Sequence, residues 1–241
     1  MQKFKERFDT LSDAILAIAM TILVLEIKTP ATMGDIGDFT RNIGLFIVSF
    51  VVVFNFWYER AQNSLDAQKT NDEIIALDII EHLGICLIPL FTKFMISFEN
   101  HNFAVMAYGL LTLLVGLTSD IIRIRLASYD LVTIPSELKE RVIKVMTTFA
   151  IRSVVVRFII IILAYFLPEV GIFAYLVIPL FMFWRRSRAG KYYAKKGIEA
   201  PSYIKLFIQI GERAPEDFTN SSSGIGGVKR LYKKLYLGSN L

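Results

Sequence analysis

The sequence predicts an all-α membrane protein with six transmembrane helices. Its 241 residues are 54% hydrophobic, and their mean hydropathy of +0.49 is typical of a chain that resides in a bilayer. A hydrocarbon core of about 30 Å takes roughly 20 apolar helical residues to cross, and six segments of the sequence approach this length. The predicted spans are residues 8–28, 41–59, 75–98, 103–123, 143–167 and 170–185, of which the last is short.

The distribution of basic residues predicts the orientation of these spans. Four clusters alternate with the spans: Lys3, Lys5 and Arg7; Arg60 and Lys69; Arg123, Arg125, Lys139 and Arg141; and Arg185, Arg186, Arg188 and Lys191. The opposite side carries only Lys28 and Arg41. Because positive residues stay on the cytoplasmic side, both termini are predicted to be cytoplasmic. Residues 1–185 then form the transmembrane domain and residues 186–241 a cytoplasmic basic tail, and the net charge of +5 reflects topology and not nucleic-acid binding.

The first span, "RFDTLSDAILAIAMTILVLEI" (7–27), joins a polar start to a long apolar run. On a helix, Ile18, Ile22 and Leu25 share one face, and Thr21 borders it. Taken alone, this stripe is typical of a lipid-facing or bundle-packing surface. A lone membrane threonine such as Thr21 usually donates its hydroxyl hydrogen to a carbonyl of its own helix.

The polar start of the first span contains a carboxylate that needs a partner. Asp13 lies about 140° around the helix from Ile18, so we expect it to face other helices of its own subunit. A buried carboxylate must be paired or hydrogen-bonded. Arg7 and Arg60 are predicted at a similar depth, and either is a candidate partner.

Two later spans also carry ionisable residues. Asp78, Glu81 and His82 begin the third span, where they form either a proton relay or an interfacial salt-bridge cluster. Arg152 and Arg157 lie in the fifth span. We expect acids of neighbouring helices, or carbonyls freed at a kink, to compensate Arg157. Two arginines five residues apart do not form the regular array of a voltage sensor.

Three segments resemble the transmembrane protein 175 potassium-channel family. The residues that match its "RxxxFSD" signature are Arg7, Leu11, Ser12 and Asp13, with Leu11 in place of the usual phenylalanine. "FNFWYER" (54–60) is similar to the end of the family's second helix and "ICLIPLFT" (85–92) to its third. The resemblance extends over about residues 5–185. Arg60 stands where relatives often carry histidine.

The resemblance implies a homotetramer in the cell membrane, with four first helices around a central pore. Ile18 is then expected to form the main hydrophobic constriction, and Ile22 and Leu25 further rings. Thr21 is expected to contribute to selectivity, while the signature residues Arg7, Leu11, Ser12 and Asp13 hold the helix in place. The implied activity is passive conduction of potassium and other monovalent cations, without a cofactor or a bound metal. No "TVGYG" segment is present, so potassium is expected to be preferred over sodium only modestly.

Two other classes of function compete with a cation channel. A proton channel or a proton-coupled transporter would use Asp78, Glu81 and His82. A membrane-embedded enzyme is not supported, because the sequence shows no nucleophile–base pair, metal-ligand cluster or glycine-rich phosphate loop.

Overall fold

A computed structural model of the chain describes residues 2–66, 72–130 and 136–195, and these ranges are helical apart from short connections. The helices are α1 (Gln2–Leu25), α2 (Ile36–Asp66), α3 (Asp72–Ser97), α4 (His101–Asp130), α5 (Ser136–Phe166) and α6 (Pro168–Lys195), with a 3-10 turn at Met33–Asp35. The all-α prediction is confirmed for the described residues.

Within the described residues, five helices are long and apolar enough to cross a membrane, judged by length and composition. The corresponding segments are Glu6–Leu25, Met33–Ala61, Asp72–Ser97, His101–Tyr129 and Val142–Phe166. The apolar part of the sixth helix, Pro168–Trp184, is shorter. The first five predicted spans therefore correspond to helices of sufficient length, and the shortness predicted for the sixth is confirmed.

Local sequence signals explain where several helices begin. The side chain of Asp35 accepts hydrogen bonds from the backbone N–H of Thr32 at 2.8 Å and of Ala31 at 3.2 Å, which stabilises the turn before α2. Asn100 accepts from the N–H of Phe103 at 3.1 Å and so caps the start of α4. Pro168 is the first residue of α6, where its missing N–H costs no helical hydrogen bond.

The order of packing leaves α1 at one edge of the subunit. α1 packs chiefly against α2 and α3, whereas α5 packs against α4 and α6 on the other side. α2 also contacts α4 and α6 and therefore lies near the middle. The core contains buried side chains from α1 to α6, among them Leu16, Val53, Ile88 and Tyr108. The uncovered side of α1 is consequently not used for packing within the subunit.

The predicted cytoplasmic tail starts inside α6. This helix continues through residue 185 to Lys195, which is beyond the end of its apolar part. The remainder of the predicted tail, residues 196–241, lies outside the described residues.

Candidate functional site

One face of α1 is buried against other helices of the subunit. Ser12, Leu16, Ala19 and Leu23 are 2%, 0%, 3% and 0% exposed. Their spacing of four, three and four residues puts them in a single stripe along the helix. This stripe contacts α2 and α3 and fixes the rotation of α1 about its own axis.

The opposite face of α1 carries the residues predicted to form the pore. We define the outward stripe as Ala14, Ile18, Thr21 and Leu25, all of which are exposed. Ile18 is 58% and Leu25 is 79% exposed. Each residue of the outward stripe follows one of the packing stripe by two positions, which is a rotation of about 200°. Ile22, at 38% exposed, lies at the border between the two faces.

Thr21 is the polar member of the outward stripe. Its hydroxyl donates a hydrogen bond to the backbone carbonyl of Ile18 at 2.8 Å, as expected for a threonine in a membrane helix. This bond uses the hydroxyl hydrogen and leaves oxygen lone pairs at an exposed position. A ring of such oxygens has the chemistry to contact a partly hydrated cation.

The signature residues occupy different environments. Ser12 is buried, and its hydroxyl donates to the carbonyl of Phe8 at 2.8 Å. Arg7, Leu11 and Asp13 are exposed on the subunit. Ser12 therefore belongs to the packing of α1, whereas the other three lie on surface that the subunit itself does not cover.

The expected burial of Asp13 against an arginine is wrong. The carboxylate is exposed and accepts a hydrogen bond from the Trp57 indole N–H on α2 at 3.1 Å. The physical reason is competition for Arg60, which forms an ion pair with Asp78 on α3. The indole N–H of Trp57, which can only donate a hydrogen bond, therefore binds the Asp13 carboxylate in place of an arginine.

Arg60 fastens the start of α1 to the rest of the subunit. Besides its ion pair with Asp78, its guanidinium lies 3.6 Å from the Asp9 carboxylate and 5.7 Å from the centroid of the Phe8 ring. The side chains of Arg60 and Asp78 are only 13% and 6% exposed. The sequence analysis missed Phe8 and Asp9. Asp9 precedes Asp13 by one helical turn, and this spacing indicates that both carboxylates lie on the same side of α1.

Asp78, Glu81 and His82 of α3 are all buried, at 4%, 5% and 6% exposed. Asp78 pairs with Arg60 of α2, and the Ser119 hydroxyl of α4 donates to Glu81. The ring Nδ1 of His82 lies 2.6 Å from the backbone oxygen of Asp78. These contacts fit the interpretation of the three residues as a cluster that joins helices. The Nε2 atom of His82 is buried and has no hydrogen-bond partner within the described part of the chain.

An ion pair joins the C-terminal ends of α1 and α3. Glu26 follows the last residue of α1, and its carboxylate lies 2.9 Å from the ammonium of Lys93. Together with the Arg60 contacts, this pair ties α1 to its neighbours at both ends. The outward stripe between the two ends is held in one orientation.

Comparison with known proteins indicates a family for the first part of the chain. The family model described as endosomal/lysosomal potassium channel TMEM175 matches residues 7–89, from the signature to Pro89 of α3. A protein named as a potassium channel from Chryseobacterium sp. is 26% identical over 108 residues, which are 44% of this chain and 56% of that protein. The match thus spans about half the length of this relative. No solved structure matches the chain.

Proposed function

We propose that this chain is a passive potassium channel in the cell membrane, because residues 7–89 match the transmembrane protein 175 family of ion channels. The observation that carries the proposal is the outward stripe of α1. It lies within the matched region, it is uncovered in the subunit, and its rotation is fixed by the packing stripe behind it. A pore helix needs these properties.

The proposed pore is formed by four subunits around a common axis. One α1 cannot enclose a pore, so its outward stripe must face copies of itself. The position of α1 at one edge of the subunit supports this arrangement, because α2 and α3 cover only its inner side. The number four follows from the family resemblance.

The proposed gate is the ring of Ile18 side chains, with Ile22 and Leu25 as further rings. An aliphatic ring closes a pore by excluding water from it. It offers no oxygen to replace the hydration shell of a cation. Discrimination between potassium and sodium is therefore assigned to the pore width and to the Thr21 hydroxyl oxygens, and the expected preference for potassium is modest.

Single-channel recording from the purified full-length chain in planar bilayers tests this function. Discrete unitary currents are expected in symmetric potassium chloride. In asymmetric potassium chloride, their reversal potential should follow the potassium gradient. Slow transport without unitary events would reject the channel.

The second candidate is a proton channel or proton-coupled transporter that uses Asp78, Glu81 and His82. The buried Nε2 of His82 favours it, because this atom has no hydrogen-bond partner among the described residues and is available to accept or donate a proton. The ion pair of Asp78 with Arg60 opposes it, because a fixed pair is a poor relay. Currents that follow a pH gradient at equal potassium on both sides would select this candidate.

A further inference from the structure

The length of α5 predicts that Arg157 lies near the centre of the bilayer, and no described residue gives it a charge partner. Arg157 precedes Phe166, the end of α5, by nine residues, which is about 13 Å along the helix at 1.5 Å per residue. This depth is close to half of a hydrocarbon core of about 30 Å. The Arg157 Nη1 atom is buried and lacks a hydrogen-bond partner, and no described residue forms an ion pair with the guanidinium. The acidic or carbonyl partner expected from the sequence is therefore missing from the described residues.

A glycine on α4 makes room for the guanidinium. A Cβ atom built on Gly116 would overlap the Arg157 guanidinium. The absence of a side chain at this position lets the charged group lie directly against α4. Part of the guanidinium is thus seated in a slot between α4 and α5.

The same guanidinium lines a cavity of about 50 Å³ between α2, α4, α5 and α6. A water molecule needs roughly 10–15 Å³, so the cavity has room for a few groups of that size. Its wall is mostly apolar, and the polar residues that line it are Asn55, Thr112, Arg157 and Tyr175. The Oδ1 atom of Asn55 is buried and, like Arg157 Nη1, has no hydrogen-bond partner in the described ranges.

The charge of Arg157 determines what this cavity must hold. A guanidinium stays protonated inside proteins, so burial cannot neutralise it. Water alone would hydrate the N–H groups without cancelling the charge, and an uncompensated charge in a membrane is costly. A lipid phosphate lies at the bilayer surface, about half a core thickness away.

We propose that this cavity binds a small inorganic anion, such as chloride, against the Arg157 guanidinium, together with water. The anion lies against the part of the guanidinium that lines the cavity, while Nη1 stays packed against Gly116 of α4. The hydroxyls of Thr112 and Tyr175 already donate to the carbonyls of Gly109 at 2.9 Å and Val105 at 3.4 Å. Arg157 is consequently the main donor. None of these residues lies on α1, so the anion site does not depend on the proposed pore.

Thermal unfolding of the purified full-length chain tests the site. The Tm in potassium chloride is compared with that in potassium gluconate at equal ionic strength, because gluconate is too large for the cavity. Chloride should raise the Tm of the wild type by about 3 °C and saturate. Arg157→Leu should remove this difference, and Arg152→Leu, which changes an exposed arginine of the same helix, should keep it.

Bromide provides a second measurement that needs no variant. An anomalous-scattering map from crystals grown in bromide should show a peak beside the Arg157 guanidinium. If the map shows no peak in the cavity, the cavity holds only water and the proposal is overturned. A wild-type Tm that is equal in the two salts, or a chloride effect that survives in Arg157→Leu, would also overturn it.

Discussion

Ile18 is the residue on which the proposed gate depends. Ile18→Asn would place four amide groups in the narrowest ring, which should wet the pore, increase the unitary current and reduce the discrimination between potassium and sodium. Current amplitude and reversal potential under bi-ionic potassium and sodium measure both effects. The control is Ala17→Ser, since Ala17 lies about 100° around the helix from Ile18. Unchanged currents in Ile18→Asn would mean that this face of α1 does not line the pore.

Substitution of Thr21 should change the ion selectivity of the channel more than its opening. Thr21→Ala removes the hydroxyl that is exposed on the outward stripe, so the reversal potential should shift towards equal permeability of potassium and sodium. The opening behaviour should change less than in Ile18→Asn. Thr21→Ser keeps the hydroxyl and should retain the wild-type reversal potential. A serine variant as unselective as the alanine variant would indicate that the methyl group matters and not the oxygen.

For single residues, the sequence predicted the direction in which a side chain of α1 points better than it predicted the residue that this side chain contacts. The exposed positions of Ile18 and Leu25 follow from helical periodicity, because a stripe and its opposite face are fixed by the backbone alone. The partner of Asp13 did not follow, because it depends on which side chains of α2 reach the same depth. Trp57 and Arg60 are three residues apart on α2, and only the structure decides between them.

The attachment of α1 to α2 and α3 depends on Arg60. Arg60→Gln would leave the Asp78 carboxylate buried without its cation, and breaking a buried pair in this way costs about 3–5 kcal/mol. We expect a lower Tm and a poor yield of assembled protein. Arg125→Gln is the matched control, because Arg125 also pairs with an α3 carboxylate, Glu73 at 3.3 Å, but both side chains are about half exposed. Such an exposed pair contributes about 0–1 kcal/mol.

Equal losses of stability in the two variants would contradict the anchoring role of Arg60. A second comparison concerns Asp13→Ala. The structure gives this exposed side chain a single hydrogen bond to Trp57, so its loss should cost much less than that of Arg60. Thermal unfolding of the three variants in one detergent ranks the contacts.

At the scale of helices, hydropathy predicted the apolar segments of the first five helices. It did not predict where helices end. α2 continues to Asp66 and α6 to Lys195, past the apolar residues, since a helix that emerges into water needs no hydrophobic side chains to keep its backbone hydrogen bonds. Charged helical ends therefore extend beyond the predicted spans.

At the scale of the whole molecule, symmetry distinguishes a pore-lining surface from a lipid-facing one. The outward stripe of α1 and the outer faces of α5 are both apolar and exposed. A lipid-facing surface and a pore-lining surface of aliphatic residues look alike in an isolated subunit. The distinction lies in symmetry, because identical residues of different subunits approach each other only near the rotation axis.

This symmetry gives a direct test of the assembly. The sequence has one cysteine, Cys86, and Cys86→Ser provides a background without thiols. In that background Leu25→Cys, at the outer end of the outward stripe, should form disulfide-linked dimers on mild oxidation, since a disulfide requires Cβ atoms about 4 Å apart. Phe166→Cys is the control at the outer end of α5, where the native side chain is 69% exposed. It should not cross-link to itself, because α5 lies on the side of the subunit away from α1.

The particle mass in mild detergent then counts the subunits. Four copies are expected, and the cross-linked Leu25→Cys preparation should keep the same particle mass, because the disulfides join subunits that are already neighbours. A monodisperse monomer that still conducts after reconstitution would reject the shared pore. Cross-linking at Phe166 in place of Leu25 would put α5 at the axis. The outward stripe of α1 would then face lipid, and the gate assigned to Ile18 would have to move to another helix.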